Sequence, residues 1–397
     1  MISPWKPGPW KSFVFRVEIE RSGRLSGVAC WKPLVAALVL SFAVAGCGGT
    51  VGQGEEPQSE GGNGGSGGGG GEAAQSINGA GASFPAPVYS AMFQKLAQDG
   101  GPQVNYQSIG SSGGREQFIQ KTVAFGASDA PMEAEEEQQA GGDPQHIATV
   151  GGAVVAAYNL EGVEELNLTG PVLSDIFLGN ITTWNDPAIA ELNPDAQLPG
   201  EEIAVVHRSD GSGTTSIFTN YLSAVSPDWE GGPGAGSEIE WPTGIGGDGN
   251  EGVAGQITQT PNSIGYVGLE YAIENDISYA NIGTEPGGEF VEPSVESARA
   301  AIENAEIPED LKVTISETNP QGEGVYPITG LTWMLVRSEM EDLAECKAVA
   351  ETAWFVTHEG QELAPEQNYV QIPENVVAIN EEKIRGMQAG GEACYEG

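Results

Sequence analysis

The stretch Ile203-Ala-Val-Val-His-Arg-Ser-Asp-Gly-Ser-Gly-Thr-Thr-Ser216 passes from an apolar segment into a run of hydroxyls and glycines, with Arg208 and Asp210 between them. Residues 203–206 read as a short buried strand. Beyond the glycines, Ile217, Phe218, Tyr221, Leu222 and Val225 recur with the period of a helix that buries one face. The sequence therefore predicts a strand, a loosened turn and a helix N-terminus in succession. The first turn of a helix carries N–H groups without intrahelical acceptors, and the macrodipole makes that end partly positive. Glycines let an anion approach the backbone, while Ser212, Thr214 and Thr215 add hydroxyl donors and Arg208 adds a cation. By composition and placement this is a candidate oxyanion site. A helix capped after a turn fits the same residues.

The arrangement recurs twice nearer the N-terminus. Gly79 and Gly81 precede Ser83 and Phe84, and Pro85 and Pro87 then open a run with Val88, Met92, Phe93 and Leu96 on one face. Residues 104–109 read as a strand entering Gly110-Ser-Ser-Gly-Gly114, ahead of a helix that carries Phe118, Ile119 and Val123. Capping needs alone do not account for three such helix starts in one chain. A further strand, 123–128, ends in Asp129, held by small neighbours and followed by Pro131. The acidic run 133–139 reads as the solvated face of a short helix. Residues 151–158 form an apolar strand entered by two glycines, expected to cross between lobes. Strands at 264–267 and 326–336 alternate with helices at 173–178, 187–190, from 253, at 269–273, near 343–355 and near 375–387. That alternation argues for α/β layers.

The candidate ligand groups are Ser83, the backbone at Phe84, Ser111, Asp129, Arg208, Ser212, Gly213 and Thr214. Most are neutral donors, one is a cation, and Asp129 as a carboxylate only accepts. A carboxylate aimed at an anion repels it unless the anion brings a proton. Monohydrogen and dihydrogen phosphate bring one at neutral pH and sulfate does not, so Asp129 would leave sulfate with an unrelieved charge clash in a dry site. Asp210 is placed to pair with Arg208 and hold its guanidinium.

The whole chain has 397 residues, enough for two or more domains with real cores. Lys and Arg number 16 against 56 Asp and Glu, a net charge of -40. Nucleic acid and anionic membrane surfaces are poor partners for such a body, and its acidity suits a soluble extracytoplasmic protein. An anion site on it must work by short-range donors inside a cleft, with distant charge screened by salt. Residues 1–46 read as a leader: basic residues, then an apolar run at 34–44 too short to span a bilayer. The basic part is long, which places the expected start of translation downstream of Met1. Val44-Ala-Gly-Cys47 resembles a bacterial lipobox, with Cys47 as the lipidated residue and a membrane anchor as the result. Residues 47–75 are Gly, Ser, Gln and Glu with almost nothing apolar and read as a tether. With about 28 residues and a reach of roughly 5–6 Å × √n, it spans about 30 Å. Cys346 and Cys394 are positioned in the sequence to form a disulfide in an oxidising compartment, or to remain as two thiols.

Enzyme signatures are sparse. Residues 110–114 fit G-x-S-x-G, the setting of a serine nucleophile, with Ser112 as nucleophile and His146, His207 or His358 as base. That hydrolase or phosphoesterase is the alternative reading, and the pattern is weak in a chain with 58 glycines. There is no G-x-x-x-x-G-K-[ST], no H-E-x-x-H and no C-x-x-C, so neither nucleotide hydrolysis, a metal site nor a cofactor is expected.

Four segments carry a resemblance to a known family: Gly79-Ala-Gly-Ala-Ser-Phe-Pro-Ala-Pro-Val-Tyr89, Val104-Asn-Tyr-Gln-Ser-Ile-Gly-Ser-Ser-Gly-Gly114, Phe125-Gly-Ala-Ser-Asp-Ala-Pro131 and Arg208-Ser-Asp-Gly-Ser-Gly-Thr214. Residues 241–252 and Tyr326-Pro-Ile-Thr329 add to it. Together they resemble the phosphate-binding component of the bacterial phosphate-specific ABC importer, over nearly all of 76–390. The resemblance implies a two-lobed periplasmic-binding-protein fold of type II with a discontinuous first domain. Lobe I would comprise 76–152 and 328–397, and lobe II 153–327. It further implies a monomer that closes on inorganic phosphate and delivers it to membrane permease subunits, without catalysis. By the same resemblance Ser83, Phe84, Ser111, Asp129, Arg208, Ser212, Gly213 and Thr214 carry the phosphate, and Asp210 pairs with Arg208. Ser83 stands where the family often has Thr, which keeps the hydroxyl. Ser209 and Thr215 also depart from familiar members. The lipobox and tether suggest a surface-anchored version rather than a freely diffusing one.

Overall fold

The structure is a computed structural model that describes residues 75–283 and 288–397. The expected leader, Cys47 and all but the last residue of the expected tether lie outside the described residues. Eight strands form the continuous path of the main sheet, β1 (Ser76–Gly81), β2 (Gln103–Ser108), β3 (Phe125–Ser128), β4 (Pro144–Asn159), β5 (Ala204–Arg208), β6 (Ile245–Gly247), β7 (Ser263–Gly268) and β8 (Thr329–Arg337), and the short strand Ser278–Tyr279 pairs with β4 off that path. The helices that pack on it or frame the site are α1 (Ala86–Gln98), α2 (Ser111–Ile119), α3 (Ala134–Ala140), α4 (Gly213–Val225), α5 (Gly249–Gln259), α6 (Leu269–Glu274), α7 (Leu343–Thr357) and α8 (Glu374–Arg385).

The strands follow one another laterally in the order β2-β1-β3-β8-β4-β7-β5-β6. β1 pairs in parallel with β2 and β3, while β8 runs antiparallel to both β3 and β4. β4 is the shared member. Its residues 144–153 pair with β8, and its residues 154–159 pair with β7, which in turn lies parallel to β5. The α/β architecture of two lobes expected from the sequence is the one the chain adopts; one half of the sheet is β2-β1-β3-β8 with the start of β4, the other the end of β4 with β7-β5-β6. Residues 146–158 of β4 are all buried. A strand covered on both faces reads as an unbroken apolar run rather than an alternation, which is why this segment stands out in the sequence.

Helix faces follow their periodicity. On α1, Val88, Tyr89, Met92, Phe93 and Leu96 are buried, with a proline in the first turn and Lys95 in the last. On α8 the acidic Glu374 opens the helix and Lys383 and Arg385 close it, each complementing the macrodipole. Phe84 is fully buried, its ring edge-on to Tyr369 at 5.6 Å. A Cβ on Gly152 would lie 2.8 Å from the Phe84 ring, so the glycine clears the space that ring fills. Cys346 and Cys394 are disulfide-bonded across a separation of 48 residues, tying α7 to the C-terminal tail.

Several boundaries differ from the sequence reading: α2 ends at Ile119, so Val123 lies beyond it, β3 begins at Phe125 rather than at 123, and α5 begins at Gly249 rather than at 253. The strand expected at 203–206 runs from Ala204 to Arg208, because Val206, His207 and Arg208 pair with β6. The partner is only Ile245-Gly-Gly247, which carries no strand signal of its own. The strand expected from 326 begins at Thr329; Pro327 has no N–H to give, and Tyr326 donates its hydroxyl to Val154 O at 3.0 Å instead.

Candidate functional site

The three helix starts singled out in the sequence meet at one place. Ser83 and Phe84 lead into α1, Ser111 is the first residue of α2, and Ser212 caps α4, whose first residues are Gly213 and Thr214. Capping does occur at α4, where Ser212 Oγ accepts from Thr215 N at 3.1 Å. At α1 and α2 it does not: Pro85 and Gly110 occupy the cap positions, so Ser83 and Ser111 are free of that duty. Ser83, Ser111, Ser212 and Thr214 are all at most 1 % exposed. Ser112 N donates to Gly211 O at 3.0 Å, joining the turn before α2 to the turn before α4. A Cβ on Gly213 would fall 2.5 Å from Asp129 Cβ and 2.6 Å from Ser111 Oγ, so the α4 N-terminus abuts the end of β3 as closely as backbone allows.

Arg208, at the end of β5, is buried with its guanidinium held by Asp210: Nε donates to Oδ1 at 2.7 Å and Nη2 to Oδ2 at 2.5 Å. Gly249 N also donates to Asp210 Oδ1 at 3.1 Å. Burial works against charge on Asp210, but the guanidinium and the backbone donors outweigh it and hold its carboxyl below the usual range. Burial likewise opposes charge on Arg208, and the bidentate carboxylate overrides it. Arg208 Nη1 is buried without a hydrogen-bond partner. A fixed cation with one donor unspent is a receptor for an anion; left unmatched, a buried donor costs roughly 1–3 kcal/mol.

Asp129 follows β3 and is 4 % exposed. Thr332 Oγ1 donates to its Oδ1 at 2.7 Å, and Ser111 Oγ lies 3.4 Å from its Oδ2. Its backbone N–H donates to Ser111 Oγ at 3.1 Å. Burial pushes its pKa up to about 7, although Thr332, Arg208, Ser111 and Arg115 all pull the other way. The sequence reading of Asp129 as an acceptor alone therefore holds above that pH; below it the neutral carboxyl also donates.

Several residues that bond to these groups are not singled out individually in the sequence. Asn250, fully buried at the start of α5, bonds to Ser83, Thr214 and the backbone of Gly268. Thr332 looks like any residue of a core strand. Tyr266 Oη accepts from Arg208 N at 3.1 Å and shares a hydrogen bond with Thr215 at 2.6 Å. Tyr271 Oη donates to Ser83 O at 2.7 Å, and Tyr369 Oη to Phe84 O at 2.5 Å. The hydrolase reading finds no support. Ser112 Oγ accepts from Arg115 Nη2 at 3.3 Å, while His146 takes Met132 N–H, His207 stacks on Trp241 and His358 stacks on Trp354. Burial drives the His146 pKa down to about 3, which removes it as a base at neutral pH. Among the described residues no group of His, Cys, Asp and Glu could hold a metal ion, and no helix is long and apolar enough to cross a membrane.

Comparison with known proteins bears on these observations directly. Residues 66–351 match the PBP superfamily domain. The chain is 45% identical over 309 residues to the phosphate-binding protein PstS of Pasteurella multocida, covering 77% of this chain and 88% of that one. It is 45% identical over 303 residues to the phosphate-binding protein PstS of Xylella fastidiosa, covering 76% and 82%. A crystal structure of a phosphate-binding protein from Stenotrophomonas maltophilia shares the fold, with a TM-score of 0.62 at 18% identity over 79% of this chain and 94% of that one. The chain therefore belongs to the PBP superfamily and, within it, to the family of phosphate-binding proteins PstS.

Proposed function

We propose that the protein binds inorganic phosphate between its two lobes and delivers it to the permease subunits of an ABC importer, without performing catalysis. The lobes in this reading are 76–152 with 328–397, and 153–327. The change of β4's partner between Ala153 and Val154 supports that division. Ser83, the Phe84 backbone, Ser111, Asp129, Arg208, Ser212, Gly213 and Thr214 carry the ligand, and Asp210 fixes Arg208. The single observation that supports this most is the convergence of buried hydroxyls from three segments on a guanidinium whose Nη1 has no protein partner. Neutral donors and a preset cation match an oxyanion, and Asp129 selects one that carries a hydrogen. The protein acts as a monomer outside the cytoplasm, held to the membrane by a lipid on Cys47 through the glycine-rich segment.

Calorimetry on purified protein stripped of bound anions tests the reading. Phosphate is expected to bind with 1:1 stoichiometry, with competition from arsenate and none from sulfate at pH 8. Absence of phosphate binding, or equal affinity for sulfate, defeats it. Labelling of intact cells with a radioactive fatty acid, lost in Cys47→Ser, tests the anchor.

A further inference from the structure

Asn250 is enclosed by the site and makes four hydrogen bonds. Its Oδ1 accepts from Gly268 N at 3.1 Å. A backbone N–H can only donate, so this bond settles which end of the amide is oxygen and turns the NH2 group the other way. Nδ2 then donates both hydrogens, one to Ser83 Oγ at 2.9 Å and one to Thr214 Oγ1 at 3.1 Å. The Asn250 backbone N–H adds a second bond to Ser83 Oγ at 3.1 Å.

A hydroxyl has two lone pairs and one hydrogen. Ser83 Oγ spends both lone pairs on Asn250, so it has nothing left to offer except its hydrogen. Thr214 Oγ1 accepts one hydrogen from the same amide, which fills one lone pair and turns its own hydrogen away from Asn250. Both side chains are cut off from bulk water, Ser83 being 1 % exposed and Thr214 fully buried. We infer that Asn250 is a positioning residue for the anion site: it fixes the Ser83 and Thr214 hydroxyls as hydrogen donors. This rests on the phosphate-binding reading above and adds a discriminator to it. Ser83 comes from the segment after β1, whereas Asn250 and Thr214 come from the other lobe. The amide can therefore set both hydroxyls together only when the lobes are closed, which links closure to donor orientation.

Asn250→Asp tests this most directly, because it keeps the size of the side chain and the acceptor for Gly268 N–H while replacing the NH2 by oxygen. The two hydroxyls then donate to the carboxylate and turn away from the anion. Phosphate affinity is expected to fall about 100-fold in Asn250→Asp and about 10-fold in Asn250→Ala, in the range set by charge-assisted hydrogen bonds. A new negative charge would also weaken binding, so the same change is made in a Ser83→Ala/Thr214→Val background. There the orienting role has no hydroxyl to act on, and the further loss from Asn250→Asp is expected to shrink to a few-fold. An equal loss in both backgrounds, or native affinity in Asn250→Ala, overturns the inference. Circular dichroism and thermal unfolding of each variant check that the fold is kept; should Asn250→Ala unfold, the isosteric Asp series alone decides. If the unmutated protein fails to bind phosphate, it is the functional reading that falls.

Discussion

Asp129 sits 4 % exposed between Thr332 and Ser111, with its pKa raised to about 7 by burial. A carboxyl whose folded pKa lies above its unfolded value near 3.9 favours folding below that lower value. Its contribution is lost as pH climbs from about 4 to about 7. In ligand-free protein, Asp129→Asn is thus expected to gain stability relative to the native chain at pH 8, by on the order of 2–4 kcal/mol, and to lose that advantage near pH 4. Thermal unfolding across pH 4–8 measures it. The same titration shapes selectivity. In the proposed role of Asp129, the carboxylate above pH 7 demands a protonated oxygen, while below it the neutral acid would donate to sulfate as readily as to phosphate. The preference for phosphate over sulfate should narrow as pH falls from 8 to 5, and should be small and flat with pH in Asp129→Asn, as read by competition binding. Arg208→Ala removes the free Nη1 and strands Asp210; phosphate affinity is expected to drop at least ~100-fold, given about 2–5 kcal/mol for losing one partner of a buried charge pair to a bound anion. Arg208→Lys keeps the charge without the fork and should fall between. Arg208, Asp129, Ser83 and Ser111 stand out in the sequence because each lies at the end of a strand or just before or at the start of a helix, among glycines and other small residues. Asn250 lies in the glycine-rich run 241–252, and Thr332 in a β-branched strand, where nothing local separates a ligand-orienting residue from loop or core.

The N-terminus of α4 meets the end of β3, with Gly213 as the contact. A methyl group there would sit 2.5 Å from Asp129 Cβ; with the two segments in separate lobes, as proposed above, closure rather than folding takes the penalty. Gly213→Ala is expected to leave the unfolding temperature within a few degrees while lowering phosphate affinity ~10-fold or more, in line with the roughly 1–3 kcal/mol of an overpacked contact. Small-angle scattering with saturating phosphate checks it, by showing a larger radius of gyration than the native complex. The disulfide belongs to this scale too. Cys346→Ser/Cys394→Ser reopens the loop between α7 and the tail and should cost roughly 2–4 kcal/mol of stability with phosphate affinity unchanged, since neither cysteine borders the site. Long helices such as α1, α4 and α7 were legible from their apolar period. β6 was not, since a three-residue strand of isoleucine and two glycines acquires its structure from β5.

A body with 56 acidic and 16 basic residues repels the anion it receives. Salt shortens the reach of that repulsion to about 10 Å at 0.1 M, while the buried donors are scarcely screened. The association rate for phosphate is therefore expected to rise several-fold between 10 and 200 mM salt, with little change in dissociation, as followed by stopped-flow tryptophan fluorescence. The two-lobed architecture was legible in the alternation of strands and helices; the lateral strand order was not, because pairing between distant segments leaves no local trace. That order sets a schedule for the growing polypeptide. β8 occupies the place between β3 and β4, yet it is the last of the main strands to be synthesised. Until residue 337 has left the ribosome, the lobe that begins first keeps the facing edges of β3 and of the start of β4 without partners. The part that starts later runs on without interruption and has its strands to hand sooner, so the first part of the sheet is completed only when its final strand arrives, its edges open until then.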